Sequence, residues 1–181
     1  VTTSWHLWQK FDKLFKGYKR RCFMQDETKN RFLLVVVDET EELHQALHFA
    51  CARAKSIDAN IALVYVITPN DFGHWAGVNA LMREEAREQA EEIIKTHSDY
   101  ANRFTGKTPL VFIREGETTD QILQLIEEEN QICQLVLGAD TKSESAGPIV
   151  NYITGRGAAR CKVPVVIVPG SLSDSQIEAL C

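Results

Sequence analysis

The stretch from Gln134 to Gly170 constrains the fold more than any other part of this sequence. It begins with a short apolar run that ends at Gly138, continues through a polar loop over 139–147, and reaches a segment of helical composition over 148–162. It closes with the apolar run Val165–Val168 between two prolines. This succession predicts one βαβ crossover, and the lack of polar alternation in its strands is typical of a parallel sheet covered on both faces.

The rest of the chain repeats the same pattern upstream. Apolar runs predict strands at 32–37, 61–67 and 109–113, and helical periodicity predicts helices over 41–56, 78–103 and from Thr118 to about Glu129. Thr40 is in position to cap the first helix, and Thr118 and Gln121 have the spacing of a capping box. We therefore expect an α/β fold, a five-stranded parallel sheet in a three-layer α/β/α arrangement with right-handed crossovers.

The distribution of charge and cysteine narrows the class of protein. The 181 residues carry a formal net charge of -5, and residues 1–30 alone hold seven Lys or Arg against three Asp or Glu, so the remainder carries -9. An acidic body argues against a nucleic-acid partner. The five cysteines are odd in number and lack a CxxC pair, which favours free thiols in a reducing compartment. The sequence predicts a cytoplasmic protein without a signal peptide or a membrane span.

The N-terminal residues form a region of their own. Between positions 5 and 21 the aromatic and leucine side chains, all but Trp5, fall on one side of a helix, and basic side chains lie outside that arc, which predicts a cationic amphipathic helix. This helix could bind a membrane surface or dock on its own domain. A third interpretation is that the residues before Met24 do not belong to the native protein, and the sequence leaves all three open. We expect an N-terminal extension and linker over 1–30, a domain over 31–170 and a C-terminal tail over 171–181.

The common catalytic motifs are missing from the sequence. There is no Gly-x-Ser-x-Gly elbow, Walker A loop or GxGxxG fingerprint. His44 and His48 stand four residues apart on the first predicted helix, but no further ligands accompany them in the sequence. We therefore predict no catalytic residues and no metal site.

Six short segments follow one another in a definite order and spacing. They are Leu-Val-Val-Val-Asp ending at Asp38, Ala46-Leu47-x-x-Ala50, Leu63-Val64-Tyr65-Val66, Ile113-Arg114-Glu115-Gly116, Leu135-Val136-Leu137-Gly138, and Val163 to Pro169. Taken together they resemble the universal stress protein family over about Arg31 to Pro169. The resemblance implies a UspA-like domain with strand order 3-2-1-4-5. The switch point of the sheet then lies between the ends of the first and fourth strands, at Asp38 and Gly138.

The nucleotide site that this resemblance implies has lost most of its signature. Nucleotide-binding members carry Gly-x-x-Gly, nine further residues and Gly-Ser or Gly-Thr. Here Gly138 fits the first position, but Thr141, Asn151 and Tyr152 replace the others, and Asp140 and Glu144 add negative charge that would repel phosphate. The vestigial site consists of Asp38, Val66, Gly138, Thr141, Asn151 and Tyr152. We expect no bound cofactor, ATP included.

The function implied by the resemblance is that of a non-enzymatic stress-response protein that acts through protein contacts. It implies a homodimer, paired through the last strand at Val165, Val166, Ile167 and Val168, together with a protein partner that the sequence does not identify. Two alternatives remain open. One is a nucleotide-dependent switch or slow ATPase that binds ATP or AMP, and the other is a membrane-surface adaptor that uses residues 5–21.

Overall fold

The computed structural model describes residues 30–68 and 80–181, apart from the side chains of residues 80 and 81. Its strands are β1 (Phe32–Val37), β2 (Asn60–Ile67), β3 (Leu110–Glu115), β4 (Ile132–Ala139) and β5 (Val165–Pro169). Its helices are α1 (Leu43–Ile57), α2 (Ala80–Thr105), α3 (Thr118–Glu128), α4 (Pro148–Thr154) and α5 (Asp174–Leu180). The amphipathic helix predicted for 5–21 lies outside the described residues. None of the described helices is long and apolar enough to cross a membrane.

The five strands form one sheet in the order β3-β2-β1-β4-β5, and every neighbouring pair is parallel. This confirms the predicted α/β fold and the predicted strand order. Strands β1 and β4 are neighbours in the sheet although five elements separate them along the chain. From this pair the sheet extends through β2 to β3 on one side and to β5 on the other side. An open α/β sheet binds ligands at such a switch point, beyond the carboxyl ends of its strands.

The strands are apolar at successive positions because helices cover both faces of the sheet. Alternate β1 residues point into two separate cores. Leu33, Val35 and Val37 pack with α1, α2 and α5, whereas Leu34 and Val36 pack with α3 and α4. Each of these side chains is at most 7% exposed. A single central strand therefore contributes to both layers, as expected for the middle of a three-layer sandwich.

Helix α4 is much shorter than the helix predicted for 148–162. It ends at Thr154 because the chain turns back on itself at two glycines. The Gly155 amide donates to the carbonyls of Asn151 and Tyr152, and the Gly157 amide donates to the Tyr152 carbonyl at 2.8 Å. A Cβ at Gly157 would lie 2.8 Å from the Tyr152 ring, so glycine is required where the chain passes this ring.

The C-terminal segment, expected from the sequence to be a tail over 171–181, contains helix α5. Ser173 caps this helix through a reciprocal capping box with Gln176, which satisfies two backbone amides at its start. Ile177 is fully buried in the core that includes α1 and α2. The helix therefore packs on the domain through one apolar side chain, and its charged residues lie around that contact.

Candidate functional site

A small cavity of about 70 Å³ lies at the switch point, where β1 and β4 end. It is lined by Val36, Asp38, Thr40, Glu42, Leu43, Leu137, Gly138 and residues 146–150. Of the six residues predicted to form a nucleotide site, Asp38 and Gly138 line this cavity. The structure thus gathers two of the predicted residues at the expected end of the sheet.

The Asp38 carboxylate is hydrogen-bonded to the nearby residue Thr40. Its Oδ1 atom accepts hydrogen bonds from the Thr40 amide at 3.1 Å and from the Thr40 hydroxyl at 2.6 Å. This is a local turn in which the carboxylate substitutes for a backbone acceptor. It also corrects the prediction that Thr40 caps α1, since Glu42 holds the N-cap position and makes no side-chain capping bond.

Gly138 is needed because the beginning of α1 lies against it. A Cβ at this position would lie 2.7 Å from the backbone oxygen of Glu42 and 2.8 Å from its Cγ. Gly170, after β5, faces the same residue, with the Glu42 Cβ 2.8 Å from the position of an added Cβ. Glu42 therefore fills the space that these two glycines leave open, and a carboxylate-bearing residue lies at the bottom of the site.

The loop between β4 and α4, residues 140–147, bonds to its own side chains. The Lys142 amide donates to Asp140 Oδ1 at 2.7 Å, and the Ser143 amide makes a longer contact of 3.4 Å with the same oxygen. The Ser143 hydroxyl and the Lys142 amide also hold the pKa of Asp140 below its ordinary value. The Asp140 carboxylate thus lies where an external anion would meet the loop amides.

In the second half of the same loop, serine hydroxyl groups accept contacts from backbone amides. The Ser145 amide contacts the Ser143 hydroxyl at 3.3 Å, and the Gly147 amide contacts the Ser145 hydroxyl at 3.4 Å. Asn151, one of the predicted site residues, donates from its side-chain amide to the Ser145 hydroxyl at 2.7 Å. Asn151 therefore holds the loop to α4.

Lys142 is the cation of this loop, and it is paired with an acid. Its ammonium group forms an ion pair with the Glu41 carboxylate at the beginning of α1, and Glu41 raises the pKa of Lys142. Both side chains are exposed, so the pair is screened and contributes little to stability. It nevertheless ties the loop to the segment that precedes α1.

The remaining predicted residues do not reach the cavity. Thr141 is exposed on the loop, and Val66 is buried in β2, in the core that packs against α3. Tyr152 packs against the same core, and its hydroxyl accepts a hydrogen bond from Arg160 at 2.8 Å. Arg160 also bonds Asp120 on α3, so Tyr152 belongs to a contact that joins α4 to α3.

The last strand lies at the edge of the sheet, as the predicted dimer surface requires. Strand β5 pairs with β4 alone among the described strands. Val168 is buried, Val165 and Val166 are half-buried, and Ile167 is 37% exposed. The outer edge of β5 therefore combines unpaired backbone groups with apolar side chains.

Sequence reasoning missed Glu42 and Ser145. Glu42 becomes important only because α1 begins where β4 and β5 end, and that contact joins segments about a hundred residues apart. Ser145 could have been found, because Ser and Asp residues clustered in a short loop often bond their own backbone amides.

Comparisons with known proteins agree with the fold. Residues 29–169 match the sequence model of the Universal stress protein family. A universal stress protein from Lactobacillus plantarum superposes with a TM-score of 0.62 at 18% identity, covering 76% of this chain and 97% of that one. A member of the family from Burkholderia pseudomallei gives 0.58 at 16% identity, with 80% and 98% covered.

A further structure is described as a universal stress protein in complex with cAMP. It superposes with a TM-score of 0.56 at 18% identity and covers 78% of this chain and 98% of that one. At such identities the likeness concerns the fold. No curated protein matches the sequence.

Proposed function

Because this chain belongs to the universal stress protein family, we propose that it acts in the stress response as a non-enzymatic, dimeric module for protein interaction. In this proposal the nucleotide site of the fold is closed by the chain's own side chains. The alternative is a nucleotide-dependent switch, for which the fold offers a precedent in the relative described with cAMP.

One observation carries the proposal: the loop after β4 bonds its own amides. A phosphate-binding loop depends on backbone amides that are free to face the anion. Here the Lys142 amide already bonds Asp140 at 2.7 Å, and the amides of 143, 145 and 147 make longer contacts with oxygens of the same loop. A phosphate would have to displace an ionised carboxylate from these groups and then tolerate it nearby.

The size of the cavity supports the same conclusion. Pockets that bind nucleotide-sized ligands have volumes of roughly 300–1,000 Å³. The cavity beside Asp38 and Gly138 has about 70 Å³, which suits a few water molecules. The contact of Glu42 with Gly138 limits its depth, so enlarging the cavity would require the start of α1 to move.

Dimerisation through β5 is the second part of the proposal. Natural proteins cover or pair an exposed apolar edge strand, because its free backbone groups can join any other strand. Helix α5 follows β5 directly but packs on the core around α1, where Ile177 is buried. A second copy that pairs with β5 about a two-fold axis would bury Ile167 and satisfy the edge.

We also propose that the protein lies in the cytoplasm, because its widely spaced cysteines favour free thiols in a reducing compartment. The described cysteines 51, 133, 161 and 181 are all free thiols. The protein partner would be recognised by surface residues of the dimer. The basic segment over 1–30 is one candidate surface, although its residues 1–29 lie outside the described part of the chain.

Native mass spectrometry tests both parts of the proposal in one spectrum. The full chain, sprayed at micromolar concentration with ATP, AMP or cAMP added, is expected to give the mass of an unliganded dimer. The variant Ile167→Lys should give a monomer, because a lysine ammonium would be buried at the pairing edge. Leu110→Lys is the matched control, since Leu110 is 43% exposed on the opposite edge strand β3 and should leave the dimer intact.

The mass spectra can contradict either part of the proposal. A monomer for the unmodified chain contradicts the dimer, and equal loss of the dimer in both variants places the contact elsewhere. A stoichiometric nucleotide adduct contradicts the closed site and supports the switch alternative.

A further inference from the structure

The first and last described helices bring four side chains of metal-binding type together. Helix α1 carries His44 and His48 one turn apart, and α5 carries Asp174 and Glu178 one turn apart. The Nε2 atom of His44 lies 3.3 Å from Asp174 Oδ1. The Nε2 atom of His48 lies 3.5 Å from Glu178 Oε1. The two imidazole rings stack with centroids 6.1 Å apart, so they face α5 side by side.

His48 is the buried member of this group, with 3% of its surface exposed. Its Nδ1 atom bonds the Tyr100 hydroxyl of α2 at 2.6 Å, which fixes the orientation of the ring. Its Nε2 atom is buried and makes no hydrogen bond. The Glu178 oxygen at 3.5 Å is at ion-pair distance but too far for a good hydrogen bond. A buried polar nitrogen without a hydrogen bond is costly, and it needs an explanation.

A bound metal ion would supply the missing partner. Two ligands held at 2.0–2.2 Å from a tetrahedral zinc ion lie about 3.3–3.5 Å from each other. Both His–carboxylate pairs already have this separation. The Tyr100 bond to the other ring nitrogen of His48 is the kind of outer contact that metal-bound histidines commonly make.

We propose that the α1–α5 interface binds a zinc ion through His44, His48, Asp174 and Glu178. In the described part of the chain, no three His, Cys, Asp or Glu side chains already converge on one point as a metal cluster. Binding therefore requires the exposed ring of His44, whose side chain is 50% accessible, to turn toward the fixed ring of His48. Two imidazoles one turn apart on a helix can chelate one ion in this way.

The consequence for the molecule is a locked C-terminal helix. Helix α5 has seven residues and one fully buried side chain, Ile177, so its attachment through apolar contacts is small. An ion bound by residues of both helices would hold α5 on α1 and raise the stability of the folded state by linkage. This inference does not depend on the proposed function, because the interface is separate from the loop after β4.

The test is a calorimetric titration of zinc chloride into the full, reduced chain after treatment with a chelator. We expect one zinc ion per chain and a higher melting temperature. His44→Gln and Glu178→Gln should each weaken binding at least about tenfold, since both remove a direct ligand. Both residues are half exposed or more, so these variants are expected to fold without metal.

Two controls separate this site from adventitious binding. Cys181→Ser removes the thiol beside α5, and Glu128→Gln removes a remote carboxylate on α3, so neither should change the affinity. Cobalt(II) bound at the site should lack the near-ultraviolet thiolate band, because the ligands are nitrogen and oxygen. Unchanged affinity in His44→Gln and Glu178→Gln, or loss of binding in Cys181→Ser, would identify an adventitious ion only and overturn the proposal.

Discussion

The loop after β4 and the interface between α1 and α5 are both rich in polar side chains, but they differ in how completely those side chains are hydrogen-bonded. In the loop, Asp140, Ser143 and Ser145 bond amides within a few residues of themselves. At the interface, the buried Nε2 of His48 makes no hydrogen bond although a carboxylate of α5 lies 3.5 Å away. The polar groups of the loop bond one another, whereas the interface leaves the Nε2 atom of His48 without a hydrogen bond.

The difference follows from how each region is assembled. Loop residues are neighbours in sequence, so short polar side chains can reach amides without help from the rest of the fold. His48 and Glu178 are brought together by the packing of two helices, in which Ile177 of α5 is buried in the same core as the apolar residues of α1. The site implied by the family resemblance lies at the loop after β4, whereas the metal site that we propose lies between α1 and α5.

The largest effect is expected at Ile177, because this side chain holds the interface together. Ile177→Ala removes a fully buried side chain and should lower the free energy of unfolding by about 2–5 kcal/mol in urea denaturation. Leu180→Ala is the matched control on the same helix. Leu180 is 66% exposed, so its loss should be within about 0.5 kcal/mol. Equal and small losses at both positions would show that α5 does not pack on the domain.

The next effect is expected at Gly138. An added methyl group at this position would lie 2.7 Å from the backbone oxygen of Glu42, which cannot move aside without shifting α1. Gly138→Ala should therefore lower the free energy of unfolding by about 1–3 kcal/mol, as overpacking does elsewhere.

Gly106→Ala serves as its control. Gly106 has a φ of +74° but open space around the added methyl group, so its cost reports backbone conformation alone. If Gly138→Ala leaves stability unchanged, the glycine is not required by Glu42, and a role in admitting a ligand becomes the better explanation.

The smallest effect is expected in the loop, where a single carboxylate holds one firm hydrogen bond. Asp140→Ala should speed hydrogen exchange at the Lys142 amide without measurable change in global stability, since the side chain is on the surface. Glu144→Ala is the control, because Glu144 is an exposed acid of the same loop. Unchanged exchange at Lys142 in the Asp140 variant would show that the carboxylate does not occupy this amide.

Most of the fold could be predicted from the sequence because its determinants are periodic. Strands such as β1, apolar at every position, imply a sheet covered on two faces, and alternating strands and helices imply parallel pairing. The order of the strands came from the resemblance to a family. Helix ends were harder, since the end of α4 depends on the passage of Gly157 beneath the Tyr152 ring, a contact that no periodicity reveals.

Capping motifs show the same limit. The Thr118 and Gln121 pair has the spacing of a capping box, yet α3 is capped by Glu117 without a side-chain bond. The pair Ser173 and Gln176 has the same spacing and forms a complete box. The second lies in the segment over 171–181, for which the sequence analysis predicts only a tail. Spacing alone therefore does not decide which box forms.

The candidate site was predictable in part. Asp38 follows the last residue of β1 and Gly138 is the last but one residue of β4, so both lie at the switch point that the strand order fixes. The replacement of the signature residues was also visible in the sequence. The role of Glu42 and the meeting of His48 with Glu178 could not be predicted, because each depends on the angle at which α1 packs against segments far away in the chain.

A calorimetric titration of ATP with magnesium into the full chain tests the central claim, that the loop after β4 is closed to phosphate, most directly. We expect no saturable heat up to millimolar nucleotide. After Thr141 and Asn151 are changed to glycine and Tyr152 to serine, we expect weak binding at most, unless Asp140 is replaced as well. Saturable binding of ATP by the unmodified chain at micromolar concentration would contradict the account, because it would mean that the Lys142 amide and the cavity beside Gly138 open to admit a phosphate.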